Sequence, residues 1–524
     1  MSAALPRKKL PIGIQTFAKI REEDYYYVDK TPQILQLIDQ GTHYFLSRPR
    51  RFGKSLLIDT IAELFEGNRE LFTGLHAEQH WDWSVKYPVV RISFAEGVIH
   101  DLDRLEQRMK DQLRLNCIAL DLSLPQGLDL SGEFAELIRL AHERSGQRVV
   151  VLVDEYDKPI LDNITDGPIA RQMRDGLRNL YSVLKGQDAH IKFAMLTGVS
   201  KFSKVSLFSG LNNLNDISVD ARYSAICGYT DEDVDQVFAP ELPGLDRDEI
   251  RSWYNGYNWT GTSVYNPFDL LLLFSKREFK PYWFETGTPT FLVELLSQRG
   301  TFTPELERRV SDMELLSSFD VDHIETDALL FQAGYLTLHG AEQILPGEWV
   351  YTLGYPNQEV RSSLNKSLLP RLGLPGSQGL AQRLQLLQCL RRRDFAGLQA
   401  LFTALFSGIP NDWYRNNPIA NYEGYYASVF YSHLAALGLD IRAEDITNKG
   451  RIDLTVLFEG MVLLFEFKVV EQVPEGRALQ QIKDRGYADK YRARGEPIHL
   501  IGVEFSREQR SVVWFEVESL AVQP

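Results

Sequence analysis

The stretch RIDLTVLFEGMVLLFEFKVV, residues 451–470, decides how the C-terminal part of the chain folds. Two β-prone runs flank Glu459-Gly460, a pair suited to a two-residue hairpin turn. That turn sets Phe458 against Met461. Carried outward, the same register puts Asp453 opposite Glu466. One face then carries Leu454, Val456, Phe458, Met461, Leu463, Phe465 and Phe467, all apolar. The other brings Asp453, Glu466 and Lys468 together at the end away from the turn. A slip of one residue would scatter both sets. Opposed strand residues hold their Cβ atoms about 4.5–5.5 Å apart. Two carboxylates that close repel unless a positive charge lies between them. A site with only oxygen donors suits Mg²⁺ or Mn²⁺. Such an ion polarises a phosphate and acidifies bound water, and Lys468 is placed to orient or help deprotonate that water. The competing reading is a polar sheet edge on which Lys468 neutralises two surface acids.

The flanking sequence favours the first reading. Glu423 opens a helix, EGYYASVFYSHLAALG (423–438), placed to pack on the hairpin. A second helix after the hairpin carries Gln480, Gln481, Lys483, Tyr487 and Tyr491. The order of these residues resembles the PD-(D/E)XK nuclease superfamily. NYEGYYASVF, ITNKGRIDLTVLF, LFEFKVV and LQQIKDRGYADKY are similar to the nuclease domain fused to AAA-ATPase-like domains in bacteria and archaea. The resemblance implies Glu423, Asp453 and Glu466 as metal-site acids and Lys468 as the catalytic lysine. It also implies Gln481 and Tyr487 as substrate-contacting or accessory residues. Residues 477–494 hold six basic side chains against Asp484 and Asp489, a local excess expected of a surface that tracks phosphates. A solvated helix face would carry the same charges.

A second motif, RPRRFGKSLL (48–57), follows a β-prone run at His43–Ser47 and opens a helix with apolar spacing. It resembles a Walker A phosphate loop. Arg51, Phe52, Gly53, Lys54, Ser55 and Leu56 would then surround the phosphates of ATP, with Lys54 on the β- and γ-phosphates and Ser55 on Mg²⁺. The loop's usual first glycine falls at Arg48, and Pro49 has no N–H to offer. VVVLVDEYD (149–157) has Walker B form: Asp154 would hold Mg²⁺ through water, and Glu155, as a catalytic residue, would orient or activate the attacking water. Thr197 takes a sensor-like place, with Lys201 and Lys204 beyond it. Arg171, Arg174, Arg178 and Arg222 are candidates for an arginine finger, none of them singled out. Beyond these motifs, IGIQTFAKI (12–20), YYYVDKT (25–31), LTGVSKFS (196–203), FSGLNNLND (208–216) and LLFQAGYLTL (329–338) also resemble the AAA-ATPase-like family, so the likeness spans nearly the whole chain.

A chain of 524 residues exceeds one hydrophobic core. Strands alternating with helices imply a parallel α/β sheet to about residue 230. The expected fold class is α/β. It comprises a P-loop AAA-ATPase-like domain at 1–230, a helical and winged-helix-like region at 231–375, a helical connector at 376–410 and a restriction-endonuclease-like domain at 411–524. The aromatic clusters WYNGYNW (253–259) and YWFETG (282–287) read as core and turn packing. The net charge of −14 argues against non-specific coating of polyanions, while leaving room for a local basic groove. Cys117, Cys227 and Cys389 form no CxxC pair, which speaks against a cysteine zinc site and for a reducing cytoplasm. No signal peptide or membrane span is expected. These readings combine into an ATP-dependent or ATP-regulated nuclease acting on nucleic acid, DNA favoured, with self-assembly allowed by analogy alone. The alternative is a nucleotide-gated DNA-binding or regulatory ATPase that keeps an idle nuclease fold.

Overall fold

The computed structural model describes residues 6–201, 213–287, 290–299, 303–312, 316, 325–372, 379–407 and 423–520. The side chain of Glu423, Lys204, much of 208–216 and most of the 370–379 linker lie outside the described residues. The chain forms two compact units, one of residues 1–287 with 310–352, the other of residues 288–309 with 353–524.

In the first unit, β1 (His43–Ser47), β2 (Val89–Ser93), β3 (Val149–Asp154), β4 (Ile191–Gly198) and β5 (Asn215–Asp216) form a parallel sheet in the order β2-β3-β4-β1-β5. The continuous apolar run of β3 is buried from end to end, as a central parallel strand must be. Helix α1 (Lys54–Glu66) follows β1, and α2 (Leu102–Ala119), α3 (Leu130–Ser145) and α4 (Gly167–Gly186) pack against one another on the sheet. Each of the last three has an aspartate N-cap, Asp101, Asp129 and Asp166, whose carboxylate accepts a first-turn N–H. Beyond the sheet the chain turns helical, then gives a three-stranded sheet of β6 (Arg309–Asp312), β7 (Thr337–Leu345) and β8 (Glu348–Gly354) in the order β6-β8-β7.

The second unit holds β9 (Asp440–Thr447), β10 (Gly450–Phe458), β11 (Met461–Val470), β12 (Ile498–Ser506) and β13 (Ser511–Leu520) in the order β13-β12-β11-β10-β9. Only β11 and β12 run parallel. The hairpin turns at Glu459-Gly460 with both residues left-handed, φ 42° and 75°, the geometry that matches the twist of the strands. Its register runs from Phe458↔Met461 to Leu454↔Phe465, as the sequence predicts.

Both faces of this sheet are covered. Helix α5 (Glu423–Ala435) lies on one, where Phe430 packs against Phe465 and Phe467 and Tyr426 stacks on Phe505 at 4.4 Å. Helix α6 (Arg477–Asp484) and the 3-10 stretch Tyr487–Arg494 lie on the other, burying Ile452, Val462, Leu464, Leu479 and Ile482 together. The seat of α6 is set by two residues of β12. At Gly502 a side chain would bring Cβ to 2.4 Å from the Leu479 backbone nitrogen. The fully buried Glu504 carboxylate accepts the N–H groups of Glu475 and Arg477 at 2.6 Å each, closing the start of the helix.

Two stability effects are expected. Gly502→Ala forces α6 off the sheet and destabilises the protein by about 2 kcal/mol, as overpacking does; denaturant titration measures this. His433 of α5 is buried, and burial pushes its imidazole down from 6.5 to about 4. A base with a depressed folded pKa stabilises the fold above its unfolded pKa and loses that contribution as pH falls. Between pH 7 and pH 5 the wild type should therefore lose about 2 kcal/mol more stability than His433→Gln in paired denaturation curves.

Candidate functional site

Glu466 points from β11 toward α6 and is only 1% exposed. A carboxylate buried this far needs polar company. Its Oε1 accepts from Gln481 Nε2 and lies 3.3 Å from Lys468 Nζ. Gly502 is the register partner of Glu466 on β12, so the close approach it permits is what brings Gln481 within reach. Asp453 departs from the simple expectation. The β10–β11 ladder ends at Leu454↔Phe465, and Asp453 does not continue it as a face partner of Glu466. Its Oδ2 instead accepts the Phe467 N–H at 2.7 Å, the amide that joins Glu466 to the residue before Lys468. Asp453 is thus held at the backbone of Phe467, the residue between Glu466 and Lys468, in the gap between strands.

That gap has a local cause. The pairing of β9 with β10 keeps one register on both sides of Asp453, yet is interrupted there, where the facing residue is Glu444. Glu444 has a left-handed backbone, φ 50°, which breaks the pleat. Ile452 accordingly packs on the α6 side, while Leu454 faces the α5 side. A cavity of about 230 Å³ opens at the break, lined by Asp453 and Glu444 and walled by Tyr431, Leu454 and Phe467. Gly424, next to Glu423 at the start of α5, borders the same cavity. Glu444, which sequence reasoning passed over, is paired with Arg451 at 3.2 Å.

Two other expectations change. Tyr487 is buried to 2% exposure in the apolar cluster beneath α6, its hydroxyl against Gly450, so here it is a packing residue rather than a surface contact. The basic excess of residues 477–494 is cancelled by acids from outside that window. Arg477 pairs with Glu475, Lys483 with Glu518, Lys490 with Asp445, and Arg494 with Glu496, while Arg492 pairs within it with Asp489. Arg485 donates to the Lys449 carbonyl.

The donor set at Asp453 and Glu466 is all oxygen, in keeping with a hard divalent cation. Among the described residues no group of three or more histidine, cysteine or acidic side chains converges.

In the first unit the loop after β1 is braced on all sides. Gly53 takes φ 90° at the start of α1, a conformation that favours glycine. Lys54 is buried, and its Nζ donates to the carbonyls of Arg48 and Pro49 at 2.9 and 3.0 Å. Burial pulls its pKa down, with Asp154 and Glu155 opposing. Phe52 is buried edge-on to Tyr257 and Trp259, and Arg51 lies over the Phe268 ring. Ser55 and Leu56 form the first turn of α1. The aromatic clusters therefore are packing, and what they pack against is the phosphate loop.

Asp154 ends β3, and its Oδ1 accepts from Thr197 Oγ1 at 2.7 Å and from the Glu155 N–H at 3.1 Å. Glu155 is held left-handed, φ 52°, and burial raises its pKa. Asp157, missed in the sequence, is buried and caps the N–H groups of Val199 and Ser200. Burial lifts its carboxyl to about 6. Lys201 is paired with Asp216 at 2.5 Å. Of the arginines considered, Arg174 and Arg178 pair with Asp175, and Arg222 with Asp220.

Comparison with known proteins agrees with both halves. Residues 11–208 match the family model described as a predicted AAA-ATPase, and residues 421–515 match the PD-(D/E)XK nuclease superfamily. An Azotobacter chroococcum mcd 1 protein described as an uncharacterized protein in the vnfD 5' region is 68% identical over 517 residues, spanning 98% of this chain and 100% of that one. No helix among the described residues is long and apolar enough to cross a membrane. The chain belongs to the family that joins a predicted AAA-ATPase domain to a C-terminal domain of the PD-(D/E)XK nuclease superfamily.

Proposed function

We propose that this protein is a metal-dependent nuclease, acting on DNA in preference to RNA, whose cutting is driven or regulated by ATP bound in the first unit. The observation that supports this is the Lys468 Nζ 3.3 Å from Glu466 Oε1, with the Asp453 carboxylate accepting the N–H of Phe467, the residue between them. Asp453 and Glu466, with Glu423, would hold Mg²⁺ or Mn²⁺. When bound, the ion supplies a polarised phosphate and a more acidic water. Lys468 sits where it would orient that water and offset the charge that builds on phosphorus. Gln481 fixes the Glu466 carboxylate by donating to it.

In the first unit Lys54 would exchange its two carbonyl partners for the β- and γ-phosphates of ATP. Ser55 and Asp154 would hold the accompanying Mg²⁺, Thr197 orienting Asp154. Glu155, whose raised pKa keeps it closer to neutrality than an exposed glutamate, would orient the attacking water.

One observation favours a second reading. The neutralised charges of residues 477–494 remove the surface on which phosphate tracking was expected, as a regulatory ATPase with an idle nuclease fold would allow. Incubating the full chain with labelled double- and single-stranded DNA and RNA, with and without ATP and each metal, separates the two.

Asp453→Ala and Lys468→Ala should each cut about a hundredfold slower or less, with ATP affinity unchanged. Undiminished cleavage by purified Asp453→Ala protein would remove the assignment. Lys54→Ala should weaken ATP about tenfold or more in an equilibrium titration, because it deletes the cation expected on the β- and γ-phosphates. A titration curve that overlays the wild type would count against the phosphate loop.

A further inference from the structure

The residue that stands where a phosphate loop ordinarily has its first glycine is Arg48, and it is among the most deeply buried large side chains of the protein, at 1% exposure. Its guanidinium turns back beneath the end of the sheet. Nη1 donates to the carbonyls of Ser47 and Ser218 at 2.8 Å each, and Nη2 to that of Tyr223 at 3.0 Å. The guanidinium carbon lies 3.9 Å above the Trp259 ring. A charge so desolvated is costly unless its geometry is closely matched, and the planar fork of arginine meets that requirement where lysine does not.

The main chain of the same residue is also fully engaged. The Arg48 N–H donates to the Gly198 carbonyl at the end of β4. The Arg48 carbonyl accepts from Lys54 Nζ at 2.9 Å. Two residues on, the Arg50 carbonyl accepts from the indole of Trp283 at 3.0 Å. The start of the loop is thus fixed from below by a side chain, where other phosphate loops rely on the freedom of glycine to bend.

Resting on the reading that the first unit binds ATP, we propose that Arg48 is the positioning residue of the phosphate loop: by clamping the exits of β1 and β5 and stacking on Trp259, it sets the loop backbone and holds the Lys54 amine where the β- and γ-phosphates of a nucleoside triphosphate must lie. Arg48 touches no phosphate itself. It acts through the loop carbonyls and through Lys54.

Arg48→Gly is the decisive variant, because it restores the glycine of the common motif. If Arg48 only occupies space, this change is neutral or improves binding. If Arg48 positions the loop, binding is lost although the motif looks more conventional. The full chain is titrated with a fluorescent ATP analogue, with inorganic pyrophosphate as competitor. Arg48→Gly should raise the Kd about tenfold or more, from the loss of three hydrogen bonds to a charged donor. Pyrophosphate competition should weaken by the same factor, and stoichiometry should stay at the wild-type value. Arg48→Lys, keeping the charge and N–H donors but losing the planar fork, should recover part of the loss. Damage to the fold alone would lower the bound fraction and leave Kd where it was. Binding of Arg48→Gly within twofold of wild type overturns the inference, and so does a reduced bound fraction at unchanged Kd. Should the Arg48 variants not fold, Trp259→Leu decides: a raised Kd supports the inference and an unchanged one overturns it. If the wild type itself binds no ATP, the nucleotide reading fails instead, which the wild-type arm shows separately.

Discussion

Burial of the Glu466 carboxylate is the constraint around which the second unit is arranged. Removing an ionised carboxylate from water costs several kcal/mol unless donors replace the lost solvent. Here Gln481 and Lys468 supply them. Gln481 arrives on α6, and α6 can lie that close only because Gly502 has no side chain and because Glu504 closes the helix start. Four residues of three elements are therefore needed to keep one acid at a point where strands part.

The first unit solves a similar problem differently. The loop after β1 must keep its backbone in a shape that open solvent alone would not fix. In this chain the holding is done from outside, by Trp259, Tyr257 and Trp283 and by the buried guanidinium of Arg48. Lys54 is satisfied by the loop's own carbonyls. Asp154, Thr197 and Asp157 fix the adjoining strand ends, so that Glu155 is left with a strained backbone between two rigid neighbours.

How much of this could be read from the residues alone follows from how local each feature is. The hairpin register was legible, because period-two burial and a two-residue turn are encoded within twenty consecutive positions. The parallel sheet was legible from its strands alternating with helices, and the continuous apolar run of β3 marked Asp154 and Glu155 at the strand end. The displacement of Asp453 was not, because its cause is the backbone of Glu444 on a neighbouring strand. The basic run misled, because the acids that cancel it, such as Glu518 and Asp445, are brought in by the fold. The aromatic clusters were rightly read as packing, yet nothing in their spacing named the loop they support. Tyr487 matched a motif and still turned inward, since position in a motif does not fix which way a ring faces.

The second unit is built from two separated pieces of chain, and this bears on how it can be made. Tyr431 of α5 donates to Glu307, Arg361 is paired with that same acid at 3.7 Å, and Thr303 bonds Ser432 at 3.0 Å. Residues 303–307 leave the ribosome more than a hundred positions ahead of Tyr431 and Ser432. Until translation catches up, this segment lacks its α5 partners, and a gene fragment beginning after it would yield a body lacking one of its own walls.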